Sequence, residues 1–413
     1  MTRVSGNPAH RLRAPSALVA AGLLGLTTAC GGGGGEGGEV TSITALDYNL
    51  AEPQNGATES MLQECGEQAG VQVEREALPR EQLMPRLLQG ASQQELPDLM
   101  LIDNPDLPQV AATGALLPLE EAGFDTAGYY DSVLAVGTHE DTLYGIASGV
   151  NGLALFTNTA LLEDAGVEPP ATWAELRTAA EELTQGDTKG FAFSAIGHEE
   201  GTWTFEPFMW SNGASLTDLD SPEAVEALEL WAGMVEEGSV SQSVVNWSQA
   251  DVNDQFLGER AAMMINGSWQ IPVLAEEDVD YEVVPLPVPE AGGEPATPMG
   301  GEVWAIGRNG AEREEKAAEV LRCLLSDANM SEWAELNAYV PAKEELAQRL
   351  AEENEQMAPF VESVPTAQAR TAELGVDYPD VSAAIADAVQ QALAGSGSAE
   401  DALAQAQQSV PES

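Results

Sequence analysis

Tryptophan and carboxylate are the side chains of this sequence best placed to do chemistry at a site. Of eight tryptophans, Trp203, Trp210, Trp247, Trp269 and Trp304 fall near predicted loops or strand ends. Trp173, Trp231 and Trp333 occupy helical positions that read as core. An indole face stacks on the apolar face of a sugar ring while polar neighbours take its hydroxyls. The polar candidates are Asp103 and Asn104, where a predicted buried strand ends, and Glu302, directly after Gly300-Gly301. Tyr48 and Glu52, after the first predicted strand, join them. Ionised carboxylates accept strong hydrogen bonds from neutral hydroxyls, and Gly301 would let the backbone approach a ligand closely. Blander readings stand beside each: a turn feeding a strand for the glycines, a turn with Asn104-Pro105 for Asp103, and burial for every tryptophan.

Other chemistries find little material. Only three histidines occur, and neither His-Glu-x-x-His nor Cys-x-x-Cys spacing is present, so no metal site and no cofactor are expected. Gly-x-Ser-x-Gly and a glycine-rich phosphate loop are missing from the sequence too. With 68 acidic residues, close carboxylate pairs are inevitable. A pair suited to a secreted glycoside hydrolase would therefore carry no information by itself.

The formal net charge is -52 at pH 7, from 16 basic and 68 acidic residues. Such an average field repels nucleic acid and anionic lipid, so no nucleic-acid partner is expected. The acidic residues are spread through the chain rather than gathered in a tail. A solvated acidic surface with only Lys189, Lys316 and Lys343 as lysines suits a protein working in strong salt, where screening removes self-repulsion.

The N-terminal stretch carries Arg3, Arg11 and Arg13, then the apolar segment Ala17–Leu26, too short to span a bilayer, then small residues before Cys30. This is an export signal, expected over residues 1–29. The glycine tract at 30–39 has nothing to bury and is expected to be a flexible tether. Exported bacterial lipoproteins look like this stretch, and that resemblance implies acylation of Cys30 and a protein lipid-anchored to the outer face of the cell membrane. Cys65 and Cys323 remain. An exported pair could form a disulfide, but a wide separation in sequence leaves their contact undecided.

The elements that must position these residues are legible. Strand-type alternation at 41–46 and 71–74, helical patterns at 58–69 and 80–90, and the buried run 97–102 give strand, helix, strand, helix, strand. That order predicts a largely parallel sheet with helices on its faces, with ligands at the carboxyl ends of strands. Later in the chain Thr172 and Glu175 form a capping-box pair, and Ser221-Pro222 marks another helix start. Helices are expected at 312–325, 330–336, 343–354 and 381–394.

Several phrases, in order, resemble the extracellular solute-binding proteins of ABC importers, family 1, the maltodextrin-binding group. They are Leu96-Pro97-Asp98-Leu99 with Ala112–Leu119, Leu143–Ala147, Leu155–Leu162, Ala165–Leu176, Phe256–Trp269, Gly300-Gly301-Glu302 and Ala338–Pro341. The chain departs from the family at Ala147, where proline is usual, and at Thr157, where tyrosine is usual. The resemblance implies an α/β, two-lobed periplasmic-binding-protein-like fold, each lobe a central sheet flanked by helices, joined by a multi-crossing hinge. It places crossings near 150–153, 299–303 and 326–330, one lobe at 40–149 plus 304–325, and the other at 151–298 plus 330–413. It also implies ligand contacts from Trp269 and Trp304 and from Asn151 at the hinge. The expected function is capture of a mono- or oligosaccharide between the lobes, without catalysis, and delivery to ABC permease subunits by a monomer. A binding protein for a polyamine-like cation or a metal chelate, and a surface adhesin, remain competing readings.

Overall fold

The first sheet has its strands in the spatial order Gln72–Ala77, Ser42–Asp47, Leu99–Asp103, Glu302–Ile306, Gly145–Ala147. This computed structural model describes residues 40–411 apart from residue 278; the expected signal, Cys30 and the tether lie outside the described residues. The three strands nearest the N-terminus run parallel, as two strand–helix–strand units require. Glu302–Ile306 enters antiparallel to Leu99–Asp103 and to Gly145–Ala147. Leu99, Met100, Leu101 and Ile102 are all buried. A central strand covered on both faces reads as a continuous apolar run, not as an alternation.

The second sheet has the order Tyr281–Val284, Leu153–Asn158, Ala261–Gly267, Lys189–Ala192. The chain passes from the first sheet to the second between Gly145–Ala147 and Leu153–Asn158, and returns at Glu302–Ile306. Between them, Gly149–Val150 pairs with Val340–Pro341, and Asn151 bridges to Gly300. The helices Glu199–Ser211, Pro222–Glu237 and Tyr378–Leu393 pack together beside the second sheet around Trp231, which is fully buried. Trp231 stacks on Phe193 with ring centroids 3.8 Å apart.

Local signals act where the sequence puts them. Thr172 accepts from the Glu175 amide while the Glu175 carboxylate takes the Thr172 amide. Ser221 caps Pro222–Glu237. The first helix begins at Gln54, four residues before the expected start, and Arg80–Gln93 runs three residues beyond the expected end to stop at Gln94 in the left-handed region. The helices Ala311–Leu324, Asp327–Asn337, Glu344–Glu353 and Tyr378–Leu393 lie on the four later stretches read as helical.

Cys65 and Cys323 are joined in a disulfide, with Cα atoms 5.5 Å apart, that staples the helix Gln54–Ala69 to Ala311–Leu324. The undecided contact is thereby resolved by packing: these two helices lie side by side on the first sheet.

Candidate functional site

A cavity of about 470 Å³ opens where the carboxyl end of Leu99–Asp103 meets the segment Gly300-Gly301 and the helix Glu199–Ser211. One wall belongs to the first sheet. Asp103 closes its strand and Glu302 opens the antiparallel neighbour, and the two are paired directly across the strands. Carboxylates so placed would repel each other. Each is answered differently. Arg80, the first residue of its helix, makes an ion pair with Asp103 and lies 5.2 Å over the Tyr48 ring. Glu302 accepts from the Tyr48 hydroxyl at 2.8 Å and from the Tyr339 hydroxyl at 3.4 Å. Burial, and then the charge of Asp103, hold the Glu302 carboxyl above its usual range. Burial, and then Glu302, push both phenols up, so they remain donors to it.

The floor is backbone. Asn151 and Gly300 exchange main-chain hydrogen bonds at 3.2 and 2.8 Å. A side chain at Gly300 would collide with the Asn151 amide oxygen and the Trp203 ring. Gly301 has φ of +105°, a conformation that favours glycine.

The opposite wall comes from the helix Glu199–Ser211 and from segments beside the second sheet. His198 caps Glu199–Ser211, so Glu199, Glu200 and Trp203 occupy its first turns. The Glu200 carboxylate accepts from the Gln249 amide, and Gln249 also lines the space. Trp269 follows the strand Ala261–Gly267, its ring lying against Gly267 where no side chain intervenes. Beneath Trp203, the Arg370 guanidinium sits 4.5 Å from the ring, bonded to Glu199 and Asn104.

Of the residues singled out in the sequence, Trp269, Gly301, Glu302, Asp103 and Asn151 line this cavity, as does Trp203. Gly300 lines it as well. Six others are placed elsewhere, Asn104 among them, buried and bonded to Arg370. Trp304 is 6% exposed within its strand and packs in the first core, beside Trp333. It lies two residues further along the strand than Glu302, buried and outside the cavity lining. Trp210 is buried in the second core, at the far end of the helix that carries Trp203. Trp247 is half-buried between the two cores, its carbonyl accepting from Ser194. Tyr48 stands behind Glu302 as its donor and is not part of the lining. Glu52 is exposed and bonds within its own turn, to Asn55 and the Gly56 amide. Arg80, Arg370, Tyr339, His198, Glu199, Glu200 and Gln249 line the cavity without having been singled out. For the arginines, rarity was the available signal: a basic residue in so acidic a chain is an uncommon choice.

The site thus gathers two indoles, carboxylates able to accept from hydroxyls, and two arginines held in ion pairs. Among the described residues no cluster of histidine, cysteine, aspartate and glutamate could hold a metal ion. The arrangement of sheets is shared with known proteins. The cyclic alpha-maltosyl-1,6-maltose binding protein from Arthrobacter globiformis superposes with a TM-score of 0.79 at 24% identity, over 90% of this chain and 98% of that one. Maltose-bound MalE3 from T. maritima gives 0.76 at 21% identity, over 90% and 99%. In sequence, the maltodextrin-binding protein MdxE of Bacillus subtilis (strain 168) is 26% identical over 284 residues, 64% of this chain and 65% of that protein. A match to the family of bacterial extracellular solute-binding proteins runs through residues 60–365. It takes in the second sheet, all of the first except the strand Ser42–Asp47, and all of the cavity lining except Arg370, and the chain therefore belongs to the bacterial extracellular solute-binding proteins.

Proposed function

We propose that this protein captures a neutral carbohydrate in the cavity between its two sheets and hands it to the membrane permease of an ABC importer. The observation that carries the reading is that the half-buried Trp269 ring and the carboxylates Asp103, Glu302 and Glu199 line the same space, with the largely buried Trp203 set against Arg370 at its edge. A volume of about 470 Å³ lies within the range that encloses small ligands. The maltodextrin and cyclic maltosyl ligands named for its relatives support the same class. Micromolar affinity is expected, roughly -8 kcal/mol.

Charge favours a neutral ligand over a polyamine. Asp103 is engaged by Arg80, Glu199 by Arg370, and Glu302 by two phenols. Carboxylates face the cavity from both walls, Asp103 and Glu302 on one and Glu199 and Glu200 on the other, so it is an assay for released product that separates capture from glycoside hydrolysis. We read residues 1–29 as an export signal, Cys30 as the lipidated residue and 30–39 as the tether holding the protein, as a monomer, at the outer face of the membrane. We read 40–149 with 304–325 as one lobe and 151–298 with 330–413 as the other.

The test is a thermal-shift and calorimetric screen of residues 40–413 against mono- and oligosaccharides, polyamines and amino acids in low and high salt. Stabilisation by one sugar, without release of product on long incubation, is the expected result. A hit confined to polyamines and weakened by salt would replace the carbohydrate with a cation.

A further inference from the structure

Arg370 is the charged residue of the cavity most withdrawn from water, only 4% exposed. Burying a guanidinium is costly unless its partners are fixed, and those partners come from both halves of the molecule. One terminal nitrogen donates to Glu199 at the start of Glu199–Ser211, and the other to the Asn104 side chain at 3.3 Å. Asn104 directly follows the first-sheet strand Leu99–Asp103. Its amide donates in turn to the carbonyls of Met299 at 3.1 Å and Gly301 at 2.8 Å. Glu199 is itself fixed by the hydroxyls of Tyr378 and Ser382 on the helix Tyr378–Leu393. An unbroken chain of bonds thus runs from the second core, through Arg370, to the segment Gly300-Gly301 and the end of the first sheet. The backbone beside Arg370 joins the same segment: Gln368 pairs with Pro298, and the Met299 amide donates to the Gln368 carbonyl at 2.8 Å.

The guanidinium also decides where Trp203 stands. The indole, 5% exposed, lies between Arg370 on one side and the Gly300–Asn151 contact on the other. Glu206, fully buried one helical turn on, lies 2.9 Å from the Tyr378 hydroxyl, and burial raises its carboxyl well above the ordinary value, so Glu206 keeps a proton to donate to that oxygen while the phenol proton goes to Glu199. Arg370 is then balanced by Glu199.

We propose that Arg370 is a positioning residue for ligand capture: it ties the helix bearing Trp203 to the end of the first sheet, so that ring position and separation of the two sheets are set together. The ligand part of this rests on the carbohydrate reading above; the tie between the sheets does not. A lysine cannot reproduce it, because one ammonium cannot donate to Glu199 and Asn104 and also lie flat on an indole.

The experiment compares wild type, Arg370→Lys, Arg370→Ala and, as a control, Arg75→Lys, which alters the buried Arg75–Asp47 pair away from the cavity. Maltose and maltotriose are the calorimetric probes, and small-angle scattering reports the separation of the lobes without ligand. Both lysine variants should melt earlier. Only Arg370→Lys should lose affinity, by about 10-fold or more, and show a larger radius of gyration. Millimolar guanidinium, but not sodium, should restore part of the affinity of Arg370→Ala. Wild-type affinity and scattering in Arg370→Lys would overturn the proposal, as would equal loss in Arg75→Lys or failure of guanidinium rescue. If wild type binds neither sugar, the carbohydrate reading loses its support while scattering still decides the tie: unchanged curves for Arg370→Lys overturn it.

Discussion

At Asp103 and Glu302, two carboxylates stand opposite each other on neighbouring strands, one neutralised by an arginine and the other solvated by phenols. A sugar hydroxyl can donate to either without importing charge, and the stacking partner then decides affinity. Trp269→Ala should weaken binding of the sugar found by screening by about 10- to 100-fold, the loss of one aromatic anchor, with little change in melting temperature. Trp304→Ala should do the reverse, because its indole fills the first core: a loss of about 3–5 kcal/mol of stability, read by denaturant unfolding. Asp106, next to this wall, is pushed up to about 6 by burial and then by Asp103, with Arg80 and Arg370 opposing and Glu199 adding to the rise. Unfolded, it titrates near 4. The folded state therefore holds the extra proton between those values, and stability present at low pH is lost as pH rises through about 6. Asp106→Asn should remove about 1–2 kcal/mol of that loss, after allowance for partial exposure. Equal slopes of stability against pH in the two proteins would refute the assignment.

Among the elements, the helix pair Gln54–Ala69 and Ala311–Leu324 and the segment Gly300-Gly301 make separable contributions. The Cys65–Cys323 disulfide encloses a sequence separation of 258 residues and lies within the helical layer of the first sheet. Closing so long a loop restricts the unfolded chain, and reduction should cost about 2–5 kcal/mol. A reductant should lower the melting temperature and leave sugar affinity unchanged, since neither helix lines the cavity. Gly300→Ala is expected to behave oppositely. Its methyl group would displace the Asn151 side chain or the Trp203 ring, so affinity should fall by about 10-fold or more while the sheets persist. Retained affinity in Gly300→Ala would mean that the floor is more yielding than its contacts imply.

For the whole molecule, the -52 charge sets the working conditions. Arginine and lysine are so few that several are committed to ion pairs with buried or half-buried acids, such as Arg75 with Asp47 and Arg313 with Asp98. The remaining acidic surface repels itself, and salt shortens that repulsion to about 3 Å at 1 M. The melting temperature should therefore rise with sodium chloride over the molar range; a midpoint indifferent to salt would argue against adaptation to strong salt. Ligand should add to this by mass action, about 2.7 kcal/mol at a hundred times its dissociation constant.

The sequence by itself determined the local elements. Alternation and continuous apolar runs mark the strands, and Thr172 with Glu175 and Ser221 with Pro222 mark helix starts, because those signals act within a few residues. The paired glycines and Asp103 at a strand end marked part of the cavity for the same reason. Only the tertiary structure decided that Trp269 faces the cavity while Trp304 and Trp210 are buried, that Cys65 meets Cys323, and that Arg370 reaches Asn104 and Glu199. Burial and long-range proximity are properties of packed layers. They are set when two sheets and their helices close against one another, and no residue type carries them alone.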